Sequence, residues 1–359
     1  MAKIDAFFKL MCEQGASDLH LVSGQQPIIR LHGEMERIKY KVLENDELKA
    51  MLYEIAPEIK TKQFEETGDV DFGYEIPGMA RFRANFFNQK NGCAAVFRQI
   101  PSKILSAEEL GLAPILTQAA MYRKGLVLIT GPTGSGKSTT LAAIMDFANK
   151  HRRDHIITVE DPIEFVHTSA GCLVNHREVG RHTRSFAAAL RGALRQDPDI
   201  ILVGEMRDLE TIRLAVEAAA TGHLVFGTLH TISAAKTVDR VIEVFPHEEQ
   251  SQIRNTLSTS LKLVVAQNLF KRVDKKGRCA ALEIMVCTSA ISNLIRDNKT
   301  FQIPSIIQTG KKQGMCALDD AIMDLLNKRW IAPEEAFDKC IDKTKFLPLL
   351  KTVPDDYFG

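Results

Sequence analysis

Gly125-Leu-Val-Leu-Ile-Thr-Gly-Pro-Thr-Gly-Ser-Gly-Lys-Ser138 is the stretch on which the fold turns. Residues 125–130 are a short, continuous apolar run, the pattern of a strand buried on both faces in a parallel sheet. Gly131, Pro132, Thr133, Gly134, Ser135, Gly136, Lys137 and Ser138 then match GxxxxGK[ST] at every fixed position. Beyond Thr139, Leu141, Ile144, Met145 and Ala148 recur at helical spacing, so the loop sits between a strand and a helix, as a phosphate cradle requires. Glycines let backbone N–H groups curl around phosphate oxygens where a Cβ would obstruct them. Lys137 brings positive charge to the β- and γ-phosphates, the Ser138 hydroxyl is a ligand for Mg2+, and the helix N-terminus faces the same anion. Residues 131–139 therefore predict a site for ATP with Mg2+.

The rhythm of strand and helix continues downstream. Ile156-Ile-Thr-Val159, Ile200-Ile-Leu-Val203 and Leu224-Val-Phe-Gly-Thr228 are further buried-strand candidates, with helices expected at 183–196 and 208–220. This alternation predicts an α/β core over residues 115–287, with a parallel sheet covered by helices on both faces. Residues 288–359 read as mainly helical, and 101–114 as a linker closed by Leu110-Gly-Leu-Ala-Pro114. Residues 1–100 read as a smaller α+β domain. There Ile4–Gln14 is an amphipathic helix with Ile4, Phe7, Phe8 and Met11 on one face, Ile28–His32 begins a strand, and Glu47–Ile59 is helical. Met79–Phe87 and Cys93–Ile100 are strand-like, and the polar spacer Asn88–Gly92 between them suits a hairpin. Alternation puts Arg81 and Arg83 on one face of the first strand and Phe82 on the other.

Three further segments carry chemistry. Asp197-Pro-Asp-Ile-Ile-Leu-Val-Gly-Glu205 is a buried hydrophobic strand ending in an acid, which places a carboxylate beside the metal and the attacking water. Thr158-Val-Glu-Asp-Pro-Ile-Glu-Phe165 brings Glu160, Asp161 and Glu164 to a strand end, where ligands collect in open α/β sheets. Such a group suits a metal or water site and, equally, a solvated acidic turn. Asp161 and Glu164 are candidate Mg2+ ligands beside Ser138, with Glu205 acting through water. Glu160 is a candidate for polarising the attacking water, and the residues alone do not separate its role from that of Glu205. Gly222-His223 and His230-Thr231 bracket a strand; histidines seven apart do not have metal-ligand spacing for one helix face.

Composition excludes several classes. A chain of 359 residues that is 45% hydrophobic and 25% charged has material for more than one packed domain. Its formal net charge of +1 argues against a protein that grips nucleic acid through phosphates. Seven cysteines at scattered positions, with no CxxC, argue against a disulfide framework and against structural zinc. The N-terminus has charges within its first turns and no apolar leader, and no run approaches the roughly 18 apolar residues of a membrane span. A cytoplasmic protein is expected, meeting membranes only through partners.

Taken in order, the segments at 131–138, 158–165, 197–205 and 222–231 resemble the Walker A, Asp box, Walker B and His box of the secretion ATPase superfamily. Its members power type II and type IV secretion and the type IV pilus. Ala16-Ser-Asp-Leu-His20-Leu, Ser233-Ala-Ala-Lys-Thr-Val-Asp-Arg240 and Ala290-Ile-Ser-Asn-Leu-Ile-Arg296 extend the likeness over nearly the whole chain. The last segment resembles the AIRNLIRE signature of the pilus-retraction branch, with Ser292 in place of an Arg and Asp297 in place of a Glu. The assembly and secretion branches typically carry an added N-terminal region and a tetracysteine insert; this chain lacks CxxC.

The resemblance implies a RecA-like ATPase domain, a PAS-like N-terminal domain and a homohexameric ring. ATP would bind between the domains, and closure would bring basic residues from outside the phosphate loop to the γ-phosphate. Arg81 and Arg83 are the candidates for that role, with Arg98 behind them. His230 and Thr221 would sense nucleotide near the γ-phosphate or a subunit junction. The partner implied is an inner-membrane platform protein at the pilus base, with the motor peripheral to that membrane. Three alternatives remain: an assembly or secretion ATPase of the same superfamily, a hexameric nucleic-acid motor, and a non-catalytic nucleotide-binding regulator.

Overall fold

Two sheets of opposite character organise the chain in a computed structural model that describes residues 2–31, 33–100 and 103–350. One compact unit comprises residues 1–104 together with 161–166; the other comprises 105–160 and 167–359.

The first unit begins with α1 (Asp5–Gln14), followed by strands β1 (Asp18–Val22), β2 (Ile28–Leu31) and β3 (Glu34–Arg37). Helices α2 (Asn45–Tyr53) and α3 (Glu58–Thr67) precede β4 (Asp69–Ile76), β5 (Ala80–Gln89) and β6 (Gly92–Ile100). The strands form one antiparallel sheet in the order β3-β2-β1-β6-β5-β4. Along β5, Ala80, Phe82, Ala84 and Phe86 are buried while Arg83 is exposed, the period-2 pattern of a sheet covered on one face. The cover is α1, whose buried positions include Phe7, Phe8 and Met11 as its spacing predicts. Phe8 stacks on Phe82 at 4.3 Å and meets Phe97 edge-on at 4.9 Å. Each such ring contributes roughly 1.5–3 kcal/mol by leaving water. The β5–β6 register pairs Gln89 with Gly92, so the turn is only Lys90-Asn91, tighter than the spacer suggests.

The helix expected over 47–59 is two helices. It ends at Tyr53 because Pro57, the N-cap of α3, has no N–H to bond the Tyr53 carbonyl and disfavours helical backbone at Ala56. Strands β1, β3 and β4 have no counterpart in the sequence expectation. His32, and with it the end of the expected strand 28–32, lies outside the described residues, as do positions 101 and 102 of the linker.

In the second unit, α4 (Pro114–Ala120) leads into β7 (Gly125–Thr130), α5 (Lys137–His151), β8 (His155–Glu160) and β9 (Leu173–Glu178). Then come α6 (Phe186–Ala193), β10 (Ile200–Val203), α7 (Leu209–Thr221), β11 (Leu224–Leu229), α8 (Ala234–Glu243) and α9 (His247–Ser260). β12 (Leu261–Lys271) and β13 (Arg278–Val286) complete a sheet ordered β13-β12-β7-β11-β10-β8-β9. All neighbours pair in parallel except β12 with β13. Every residue of β7, β10 and β11 is buried, which is why those three read as unbroken apolar runs. The fold is the expected α/β arrangement. β9 was not expected, because Leu-Val-Asn-His-Arg-Glu on a sheet edge carries no apolar run. β12 was missed for another reason: α9 runs into it at Ser260–Leu261 with no turn residue to mark the change.

Helices α10 (Ser289–Arg296), α11 (Ile303–Thr309), α12 (Leu318–Asn327), α13 (Pro333–Lys339) and α14 (Lys343–Phe346) follow. Ile291 and Ile295 of α10 are fully buried and Leu294 is partly so, as the helical spacing requires. The expected helical region to 359 is described as far as Leu350; residues 351–359 lie outside the described residues. Among the described residues no helix is long and apolar enough to cross a membrane.

Candidate functional site

Because β7, β11, β10 and β8 are adjacent and parallel, their carboxyl ends lie along one edge of the sheet. That edge is where open α/β sheets hold ligands. β7 ends at Thr130, and the phosphate loop turns through Gly131, Gly134 and Gly136, all at positive φ, into α5. Two of these glycines are dictated by a neighbour. A Cβ on Gly131 would strike the Gln267 carbonyl, and one on Gly136 would lie 2.9 Å from Gln267 Nε2. Gln267 of β12 is itself buried; its Nε2 donates to the Ser135 carbonyl at 2.7 Å, and its Oε1 accepts from Thr140 Oγ1 at 2.8 Å. The loop is thus clamped from beneath. Lys137 Nζ donates to the carbonyls of Gly131 at 2.9 Å and Pro132 at 3.1 Å, so the ammonium group lies across the loop. Pro132, Thr133 and Gly134 are exposed, while Ser138 and Thr139 are half-buried in the first turn of α5. A cradle with no room for a Cβ at Gly131 or Gly136, a lysine across it and a hydroxyl at the helix start fit a nucleotide polyphosphate with Mg2+.

Beyond β10 the chain places Glu205 in contact with two donors. Its Oε1 accepts from Arg207 Nε, and His230 Nε2 approaches it at 2.6 Å. Burial pushes the Glu205 carboxyl up, but the hydrogen bonds and charges of Arg207 and His230 outweigh it and hold the group below the usual range. Glu205, Arg207, His230, Thr231 and Arg240 line a cavity of about 450 Å3. Thr231 continues the connection: its hydroxyl meets Thr237 Oγ1 at 2.7 Å, which lies 3.4 Å from the Thr130 hydroxyl at the mouth of the phosphate loop. Thr221 is remote from this cluster. It closes α7, bonding to the Glu217 carbonyl at 2.8 Å, at the other end of β11 from His230.

Glu160 ends β8, and the backbone N–H of Gly204 bonds to the Val159 carbonyl beside it at 2.7 Å. Its side chain faces the edge strand, with His176 Nδ1 4.0 Å away. Asp161 and Glu164 belong instead to the first unit, where Glu164 shares a cavity of about 280 Å3 with Glu75 and Arg81. Among the described residues, no three His, Cys, Asp or Glu side chains come together as metal ligands.

Arg81 and Arg83 share a face of β5: Arg81 is paired with Glu75 of β4 and lies 4.0 Å from it, while Arg83, paired with Gly73, reaches diagonally to Asp71 at 3.4 Å. Arg98 is not behind them but directly across the ladder from Arg83, and it pairs with the buried Asp18 at 2.8 Å.

A family model described as Type II/IV secretion system protein matches residues 2–324. The chain belongs to that family. Among curated relatives of this secretion protein, the type IV pilus retraction ATPase PilT of Pseudomonas aeruginosa is 56% identical over 327 residues, covering 91% of this chain and 95% of its own. A twitching motility protein of Neisseria gonorrhoeae is 52% identical, covering 86% and 83% respectively. Among solved structures, the pilus retraction motor PilT with bound ADP superposes with a TM-score of 0.89 at 41% identity, over 96% of this chain and 99% of its own. The superfamily expected from the four boxes is the one found.

Sequence reasoning missed Gln267, His176 and Arg207 in this secretion-family chain. Gln267 lies in a strand with no turn signal before it. His176 lies in a polar edge strand. Arg207, two residues beyond Glu205, was the most accessible of the three, since a basic residue so close to a strand-end acid invites pairing.

Proposed function

We propose that the chain hydrolyses ATP and uses the cycle to drive retraction of a type IV pilus, as the name of its Pseudomonas relative states for that protein. The observation that carries this reading is the near full-length identity of 56% to that ATPase. The clamped phosphate loop supports it with a site built for the substrate.

In this reading Gly131 to Thr139 bind the triphosphate, with Lys137 on the β- and γ-phosphates. The Ser138 hydroxyl holds Mg2+, which when bound neutralises charge on the phosphate oxygens. Glu205 is already engaged by Arg207 and His230, which occupy its Oε1 and hold its carboxyl below the usual range. In this reading the water-orienting role is given to Glu160, the acid not held by Arg207 and His230, and His230, bonded to Glu205, couples the state of the site to the strand end of β11. Asp161 and Glu164 would be further ligands for the metal. Arg81 and Arg83 exchange their acidic partners for phosphate when the site closes, supplying charge only in the closed state.

The chain acts as a homohexamer in the cytoplasm, held peripherally at the inner membrane by a platform protein at the pilus base, and it takes no nucleic acid and no zinc. Deleting the gene in its native host tests the direction of work: the cells should carry excess surface pili and lose twitching. Bare cells would instead identify an assembly motor.

A further inference from the structure

The edge strand β9 places one histidine beside the proposed water-orienting acid, and its ring nitrogens have separate tasks. Thr158 pairs with His176 across β8 and β9, and Glu160 lies two residues further along the same face of β8 as Thr158. Nε2 of His176 lies 3.0 Å from the backbone N–H of His167 and 3.2 Å from its carbonyl. A backbone N–H only donates, so the shorter contact selects an unprotonated Nε2 and leaves the proton on Nδ1. Nδ1 in turn lies 2.9 Å from Thr158 Oγ1 and 4.0 Å from Glu160 Oε1. The second distance is too long for a hydrogen bond, but the positive end of the ring dipole still faces the carboxylate. His167 stacks on the His176 ring at 5.9 Å and an interplanar angle of 15°, fixing its plane.

We infer that His176 is a positioning residue for ATP hydrolysis, the positive edge of its ring, fixed by Thr158, biasing the Glu160 carboxylate towards the orientation that directs the attacking water. This rests on the reading that Glu160 orients water. The His167 backbone sets the tautomer and Thr158 anchors the ring beside Glu160. Outer-shell partners of metal ligands cost roughly 10–100-fold in activity when removed, and a positioning contact at longer range is expected at the lower end of that scale.

The test uses the full chain with MgATP and four variants. His176→Phe keeps the ring and its stacking but removes both nitrogens; it should lower kcat about tenfold and leave KM for ATP within about twofold. His176→Asn presents an amide N–H where Nδ1 stands and should recover most of the loss. Glu160→Gln should abolish turnover, and adding His176→Phe to it should cost nothing more, because both act on one step. If Glu160→Gln turns over normally, the reading of Glu160 fails, whatever His176 does. If Glu160→Gln is inactive but His176→Phe keeps its kcat, or loses only KM, or is not rescued by Asn, the positioning role is overturned. Thermal melts accompany each measurement, and His176→Leu carries the same expectation should the Phe variant melt below the assay temperature.

Discussion

The seven-stranded sheet and the six-stranded sheet hold basic side chains in opposite ways. At the carboxyl end of β7, Lys137 bonds to the carbonyls of its own loop, in a site whose walls are glycine and buried glutamine. On β5, Arg81 and Arg83 face carboxylates of the neighbouring strand at 4.0 and 3.4 Å. The lysine can turn to an anion by giving up neutral carbonyls, whereas the arginines must leave acids behind. A parallel sheet buried on both faces thus supplies a site prepared before substrate arrives. An antiparallel sheet with one wet face supplies charges that are satisfied in its absence and are free to engage only when something displaces them.

The sharpest way to break that contrast is to remove one cation from each sheet. Lys137→Ala should abolish both nucleotide binding and hydrolysis, since it removes the cation that the loop brings to the β- and γ-phosphates. Arg83→Ala should leave ADP binding within a few-fold while lowering kcat by about a hundredfold or more, the scale of a charge supplied only in the transition state. Equilibrium titration with a fluorescent ADP analogue, alongside steady-state kinetics, separates the two. Normal turnover in Arg83→Ala would return the β5 arginines to a solvated, ion-paired strand face.

How far each sheet was legible follows from the same difference. β7, β10 and β11 lie wholly in the core, so their apolar runs stand out and their boundaries come within a residue or so of expectation. β4 reads Asp-Val-Asp-Phe-Gly-Tyr-Glu-Ile, with acids interleaved on its outer face that pair with β5: Asp69 with Asn85, Asp71 with Arg83 and Glu75 with Arg81. At the site, the residues of the phosphate loop and the acids Glu160 and Glu205 announce themselves by spacing. Their supports do not, because support comes from strands distant in sequence. Gln267 is 132 residues from the carbonyl it holds.

Gln267 gives the next largest effect. Gln267→Leu keeps the shape but leaves the Ser135 carbonyl and the Thr140 hydroxyl without this partner in a buried place. The expected cost is about 1–3 kcal/mol of stability, with roughly tenfold weaker nucleotide binding as the loop loosens. Chemical denaturation and nucleotide titration read the two quantities. Lost stability with unchanged affinity would show that Gln267 supports the sheet and not the loop.

The smallest effect belongs to the edge of the sheet, where polar β9 meets buried His167. Burial, with a lesser contribution from the charge of His176, pushes the His167 imidazole down from its ordinary value to about 4. Its folded pKa lies below the unfolded one, so the unfolded chain binds the extra proton first as acid is added. The stability this neutral ring contributes is complete above about pH 6.5 and is lost as pH falls towards 4. By pH 5 the loss should reach about 2 kcal/mol. His167→Phe keeps a buried ring and cannot take a proton, so its stability should fall less than that of the unaltered chain between pH 7 and pH 5. Carboxylates elsewhere titrate alike in both proteins and cancel in the difference. Parallel losses in the two would mean that the site around His167 opens to water before the proton arrives, and that the sheet edge beside Glu160 is looser than its buried centre.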